Sequence, residues 1–360
     1  MKKIIKMITG FLKEFFIDGL TGMAQGLFAT LIIGTIVTQI AAWIPASLGI
    51  GGYLMVMGKI AMLLTGAGIG CGVALKLKAT PLVTLSASVS GFLSAYAAKI
   101  LAGSVLTDGV MQFTPPGEPL GAFLGAITAI YVGRLISGKT KLDIILTPFT
   151  CILTGSTVGL ILGSPISAFM IKVGELIAFG TQQAPFLMGI IVSVLMGIAL
   201  TLPISSAAIG VILGLSGISA GAATVGCCAN MVGFAVASFK DNKWNGLLAQ
   251  GLGTSMLQMG NIVKKPTIWI PAIAASIVTG PLATCVFHFE NNATGSGMGT
   301  AGLVGPINAY NTMVASGVNP LWVLVQIFLL CFVIPGFVAW GTAWAMRKMH
   351  LLKDGDMKLD

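Results

Sequence analysis

Charge is what this sequence has least of. Asp, Glu, Lys and Arg together make up 9% of its 360 residues, against about 25% in ordinary globular chains. No polar block is long enough to form a separate soluble domain. Histidine occurs only twice, which leaves no room for His-based metal chemistry. A Walker loop, a dinucleotide fingerprint and a Ser/His/Asp arrangement are all missing. The sequence therefore predicts no cofactor, no metal and no catalytic residue of its own. The six cysteines, Cys71, Cys151, Cys227, Cys228, Cys285 and Cys331, all fall in apolar stretches, without CxxC or His-paired spacing. They read as small core residues rather than redox centres or metal ligands. The net charge is +9, but the basic residues are scattered over short connecting loops. A nucleic-acid face would gather them.

What the chain has in abundance is apolar length and glycine. Hydrophobic residues make up 56% of it and 48 residues are glycine. Apolar runs lie near 20–43, 53–75, 80–107, 120–137, 144–164, 185–202, 267–287 and 320–346, with a Gly/Ala/Ser-rich run at 204–239 long enough for a hairpin of two short helices. Runs of this length are membrane spans, and small residues let helices approach closely in lipid. The expectation is an all-α polytopic membrane protein of about 10 transmembrane helices, with re-entrant or broken-helix segments. Its parts are an amphipathic surface helix over 1–19, a transmembrane domain over 20–346 and a cytoplasmic tail over 347–360. The early lysines are followed by Lys13, Glu14 and Asp18, which interrupt what would be a signal-peptide core.

Orientation follows from the loops. With the N-terminus inside, the cytoplasmic positions take the N-terminal lysines, Lys76/Lys78, Arg134/Lys139/Lys141, Lys240/Lys243, Lys264/Lys265 and the Arg347–Lys358 group, 17 of the 20 basic residues. The connections assigned to the outside hold only Lys172. That is the positive-inside asymmetry, and it places both termini in the cytoplasm of a multi-pass plasma-membrane protein.

Two stretches depart from the apolar pattern. In 245–263, Gln250, Thr254, Gln258 and Asn261 recur at spacings of four, four and three, a polar stripe along one helix face. In 288–311, His288, Glu290, Asn291 and Asn292 precede a Gly-rich segment that reaches Asn308. Neutral amides beside backbone that permits close approach suit a sugar or another small polar solute. The same stripe also fits helix–helix contact, and the residues alone leave both readings open. If 245–263 enters from the cytoplasm and returns, while 288–319 dips in from outside, the two meet as in transporter sites made from broken helices. Glu290 is the leading candidate to accept hydrogen bonds from hydroxyls or to carry a coupling proton, with His288 beside it. Lys59 lies deep within its run and is a candidate ion- or substrate-pathway residue. Lys99 is expected to snorkel outward, and Lys172 to pair with Glu175. A weak internal repeat places AQGL at both 24–27 and 249–252.

The segments GLFATLIIGTIVTQI (26–40), GAFLGAITAIYVGRLISGKTKLDIILTP (121–148) and NGLLAQGLGTSMLQMGNIVKKPTIWIPA (245–272) resemble the membrane IIC proteins of the bacterial phosphotransferase system, on the branch that includes the perfringolysin O regulator-like proteins. The resemblance implies a permease-type fold, a homodimer in the lipid bilayer, sugar as the solute, and a separate cytoplasmic IIB protein that phosphorylates it. The chain would then be at most the membrane component of a sugar phosphotransferase. An ion-coupled secondary transporter and a solute-binding membrane sensor are the alternatives.

Overall fold

The computed structural model describes residues 10, 12–45, 49–107, 110–114 and 117–359. Among them, six helices are long and apolar enough to cross a membrane: Glu14–Trp43, Pro119–Ile136, Asp143–Thr181, Gly217–Ala237, Pro266–Val286 and Pro320–Lys348. The pair Ile50–Leu63 and Thr65–Lys76, bent by 54° at Leu64, is apolar enough to form a seventh span if its two helices cross as one, and Pro81–Ala95 and Pro185–Thr201 are shorter apolar helices. The only strands among the described residues form a hairpin, Leu106–Thr107 with Val110–Met111. The protein is an all-α polytopic membrane protein.

The expected spans appear with three local differences. The 204–239 run is not a hairpin of two short helices but the seven-residue helix Ser206–Ile212 followed by the single helix Gly217–Ala237. The 80–107 run stops at Ala95, kinks at Tyr96 and resumes only as Ala97–Leu101. The stretch around Lys172 and Glu175, assigned from sequence to an outer connection, is no separate element, because the helix from Asp143 continues unbroken to Thr181 past Pro148 and Pro165. The surface helix expected over 1–19 falls largely outside the described residues, while Glu14–Gly19 is continuous with the first long helix.

The chain divides into two compact units, Met1–Phe169 and Met170–Asp360. In the first, the Glu14–Trp43 helix lies against Thr65–Lys76, which packs on Pro81–Ala95, which packs on Pro119–Ile136. Small residues set these distances. A Cβ on Gly26 would sit 2.1 Å from the Gly68 carbonyl oxygen, so the two backbones touch with nothing between them. Arg134 closes one end of this unit, donating to Glu14 at 2.7 Å and to the Leu77 carbonyl. Lys59 lies exposed on an apolar face of the Ile50–Leu63 helix. Lys99 reaches the Thr114 carbonyl at 2.9 Å and crosses the Tyr96 ring, and Lys172 pairs with Glu175 at 2.8 Å.

The second unit is arranged around Gly217–Ala237. Nearly every residue of this helix is buried, and Pro185–Thr201, Pro266–Val286, Pro320–Lys348 and the irregular segments all pack on it. A helix hydrophobic or small on every side suits such a position. The two AQGL tetrapeptides occupy unlike settings: 24–27 lies within regular helix, and 249–252 is a wide turn running up to a chain break.

Gly26→Ala drives a methyl group into the Gly68 backbone, and overpacking of this kind costs at least about 1–3 kcal/mol. Gly341, with nothing within 4 Å of its would-be Cβ, is the control. In a thermal melt of detergent-purified protein, Gly26→Ala should lower the midpoint by several degrees, while Gly341→Ala leaves or raises it.

Candidate functional site

The 245–264 stretch does not carry its polar residues on one helical face. Gly251 and Gly253 weaken the helix, and the chain breaks at Thr254, whose φ of −159° and ψ of 139° are extended. Only short turns follow, Ser255–Gln258 and Met259–Lys264. The break folds the stripe back on itself. Gln258 Nε2 donates to Gln250 Oε1 at 2.9 Å, Asn261 Nδ2 donates to Gln258 Oε1 at 2.9 Å, and Gln250 Nε2 reaches Ser238 Oγ at 2.8 Å. Gln250 and Gln258 are fully buried. Thr254 is spent locally, accepting from the Met256 N–H. Gln250 Nε2 also donates to the Gly246 carbonyl at 3.0 Å, and the remaining donors of the other two amides go to the segment after the last helix: Gln258 Nε2 to the Met357 carbonyl at 2.9 Å and Asn261 Nδ2 to the Lys358 carbonyl at 2.8 Å.

The second stretch is equally irregular. After Val286 the chain runs extended through Phe289, Glu290 and Asn291 along the start of the Gly217–Ala237 helix, with the Asn291 N–H bonded to the Gly217 carbonyl at 3.2 Å. Gly221 makes this approach possible, since a Cβ there would lie 1.7 Å from the Phe289 carbonyl oxygen. Asn291, fully buried, donates to Thr224 Oγ1 at 2.7 Å and to the Gly305 carbonyl at 3.0 Å. Asn292 caps the short turn Ala293–Ser296 and donates to Asn308 Oδ1 and Thr312 Oγ1. Asn308 in turn donates to the Val304 carbonyl at 2.9 Å.

These two stretches touch. Thr300 Oγ1 donates to the Gly251 carbonyl, joining the Gly-rich loop of one to the wide turn of the other. The site residues therefore fall into two amide clusters held on one helix. Lys59 lies in the other unit. His288 is exposed, with φ at +45°, a left-handed conformation unusual for a non-glycine residue. Glu290 is half-buried, and among the described residues its carboxylate has no hydrogen-bond or ion-pair partner.

Several polar positions built into this architecture escape sequence reasoning. Thr224 and Thr300 look like ordinary small residues of a packing helix and a loop. Asn230 is visible only as a lone amide in an apolar run, yet it accepts from Trp269 Nε1 at 2.9 Å and Thr201 Oγ1 at 3.3 Å and donates to Ser276 Oγ at 3.1 Å and the Gly226 carbonyl at 3.3 Å. Those bonds use both its donors and both its lone pairs. Gln326 donates to the Phe287 carbonyl at 3.2 Å, just before His288, while its buried Oε1 has no partner. In the first unit, Glu118 caps the Pro119–Ile136 helix, and burial pushes its carboxyl up to about 7.

With the amide donors of both clusters bonded within the protein, the Glu290 carboxylate and the Gln326 amide oxygen are the acceptors left without a partner among the described site residues. No group of three or more His, Cys, Asp or Glu side chains among the described residues is placed to hold a metal. Against this geometry, the family model described as Phosphotransferase system, EIIC matches residues 17–359. A search of the curated proteins gives no match.

Asn291→Ala strands Thr224 and the Gly305 carbonyl, and an orphaned buried polar group costs about 1–3 kcal/mol. It should lower the melting midpoint clearly, whereas Glu290→Gln, which breaks no bond, should leave it unchanged. Glu118 gives a pH signature. Its folded value lies above the ordinary carboxyl value, so the folded form holds the proton more tightly and stability falls as pH rises from about 4.5 towards 7. Melting midpoints measured between pH 5 and 8 should decline in the parent, and the decline should be smaller in Glu118→Gln.

Proposed function

The chain belongs to the membrane EIIC family of the phosphotransferase system, and from that premise we propose that it is a permease that moves a sugar across the bilayer for phosphorylation by a separate cytoplasmic IIB protein. The observation that carries the site assignment is the Thr300–Gly251 hydrogen bond between two irregular segments, both seated on the Gly217–Ala237 helix. Non-helical backbone at membrane depth survives only when buried in protein or lining a wet cavity. Broken helices meeting this way are the usual frame of a transport site.

In this reading Glu290 is the residue that meets the sugar. Its carboxylate, unspent on any protein partner, accepts hydrogen bonds from hydroxyls. The Gln326 amide oxygen, buried and unmatched beside Phe287, accepts another. Asn291, Asn292 and Asn308 hold the backbone that presents Glu290, and Gln250, Gln258 and Asn261 hold the facing segment. His288, at the rim, is the first group a solute passes. The charge asymmetry puts both termini in the cytoplasm, on the side where IIB must dock. A homodimer surrounded by lipid is the assembly we propose, by analogy with the family.

The test is uptake of a panel of radiolabelled hexoses, hexitols and disaccharides by cells stripped of their own permeases, with the phosphoryl relay intact or deleted. We expect one sugar to accumulate as its phosphate only with the relay intact. Glu290→Gln should cut that uptake at least tenfold at unchanged membrane level. Uptake that survives relay loss but collapses with a protonophore would instead establish an ion-coupled transporter. Binding without uptake would establish a sensor, and full uptake by Glu290→Gln would remove Glu290 from the site.

A further inference from the structure

The segment after the last helix, Leu351–Leu359, is rich in charge and largely exposed, the composition of a solvated tail. It is instead bound along its length. Asp241 accepts the backbone N–H groups of Gly355 at 3.0 Å and Met357 at 3.3 Å. Asn242 serves the next positions, donating to the Met357 carbonyl at 2.7 Å and accepting the Leu359 N–H at 2.8 Å. A turn over 354–357 and the residues after it are thus held at alternate positions by two adjacent side chains. Lys240 holds Asp354 at 2.7 Å, and Lys265 holds Asp356 at 2.5 Å. Gln258 and Asn261 complete the grip through the Met357 and Lys358 carbonyls. Only Leu352 and Met357 are buried as apolar anchors.

The balance of these forces matters. Gln258 and Asn261, partners in the amide cluster, each spend an N–H on a carbonyl of this segment. Those are the donors that a hydroxyl oxygen would otherwise take. Beside the hydrogen bonds to its backbone, the attachment rests on exposed or half-exposed ion pairs, which salt screens, and on two apolar side chains. Lys243, next to Asp241 and Asn242, is held at φ +52° and ψ −148° within its helix. A non-glycine residue persists there only when its surroundings enforce it.

We propose that Leu351–Leu359 is a detachable latch: docked, it clamps the broken segment 249–264 and occupies the amide donors of Gln258 and Asn261; released, it frees both. Docking and release stand on the contacts alone, while the regulatory consequence, gating of sugar access to these donors, rests on the functional reading above.

Hydrogen–deuterium exchange on the full chain in detergent tests the latch without any sugar. In Asp354→Asn/Asp356→Asn, and in the parent at 1 M NaCl, the amides of Gly355, Met357 and Leu359 should exchange at least tenfold faster. Exchange across 250–264 should rise severalfold with them, while 185–201 stays unchanged. Asn242→Ala, which leaves every charge in place, should give the same pattern. If 355–359 stays equally protected in all three conditions, or loosens while 250–264 does not respond, the latch is overturned. Should the double variant fail to fold, the salt series and Asn242→Ala decide alone. In the uptake assay a released latch should raise the initial rate. Absent uptake in the parent sinks the permease reading and leaves the exchange result standing.

Discussion

In lipid, every backbone N–H and C=O must find its partner within the protein, because no water is at hand to replace it. Regular helices meet this demand by themselves, and most of this chain is regular helix. The segments 249–258 and 287–303 do not, and the second unit is shaped by how they are served. The Gly217–Ala237 helix offers what they lack: the Gly217 carbonyl to the Asn291 N–H, Thr224 to the Asn291 amide, and Ser238 to Gln250. To lie close enough, the irregular backbone needs Gly221, against which the Phe289 carbonyl is pressed. A helix buried on every side is the consequence, since its faces are taken by spans on some sides and by broken segments on the others.

The same constraint decides which polar groups are left for a ligand. Asn230 and Asn291 look like binding residues by type, but their donors are consumed in holding helices and loop backbone. A fully satisfied buried network fixes geometry and has nothing over to offer a solute. Glu290 differs because the extended chain carries it past the helix start without giving its carboxylate a partner. A charge half-buried and unpaired is costly, and such groups in membrane proteins mark substrate or ion pathways. Glu290 thus stands apart by subtraction, as the carboxylate left over when its neighbours' polar groups are all bonded.

Length and hydropathy made the spans readable from sequence, because a run of apolar residues has few other uses. What composition hid was connectivity. The run 204–239 divides as seven residues and then twenty-one, because a helix buried all round shows no amphipathic period to mark its ends. Spacings of four, four and three at Gln250, Thr254, Gln258 and Asn261 describe a helical stripe, but Gly251 and Gly253 let the chain break at Thr254. The amides then meet by folding back rather than by periodicity. Thr224 and Thr300 gave no sign, since a hydroxyl in a small-residue stretch is ordinary. Charged residues at 353–358 looked like solvated chain because sequence shows charge but not the partner waiting for it.

The charges near the ends of the spans serve two purposes. The positive-inside bias counts Lys and Arg near the ends of spans and gives acidic residues little weight. Under that rule Lys240 and Lys265 would count towards orientation even though Asp354 and Asp356 pair with them after folding. The Lys240 side chain holds the Asp354 carboxyl below its ordinary range. Burial works against ionised Asp356, but hydrogen bonds from Lys265 and from the Lys353 N–H outweigh it and hold that carboxyl low as well. Both carboxylates are thus ionised throughout the neutral range, and pH near neutrality is a poor key for the latch. Competing charge is a better one, because exposed ion pairs weaken as soon as other ions or a charged protein surface approach. In this arrangement a cytoplasmic partner with a basic face would loosen Leu351–Leu359 by contact alone, and the amides of Gln258 and Asn261 would be released by its docking rather than by any chemical change in the chain.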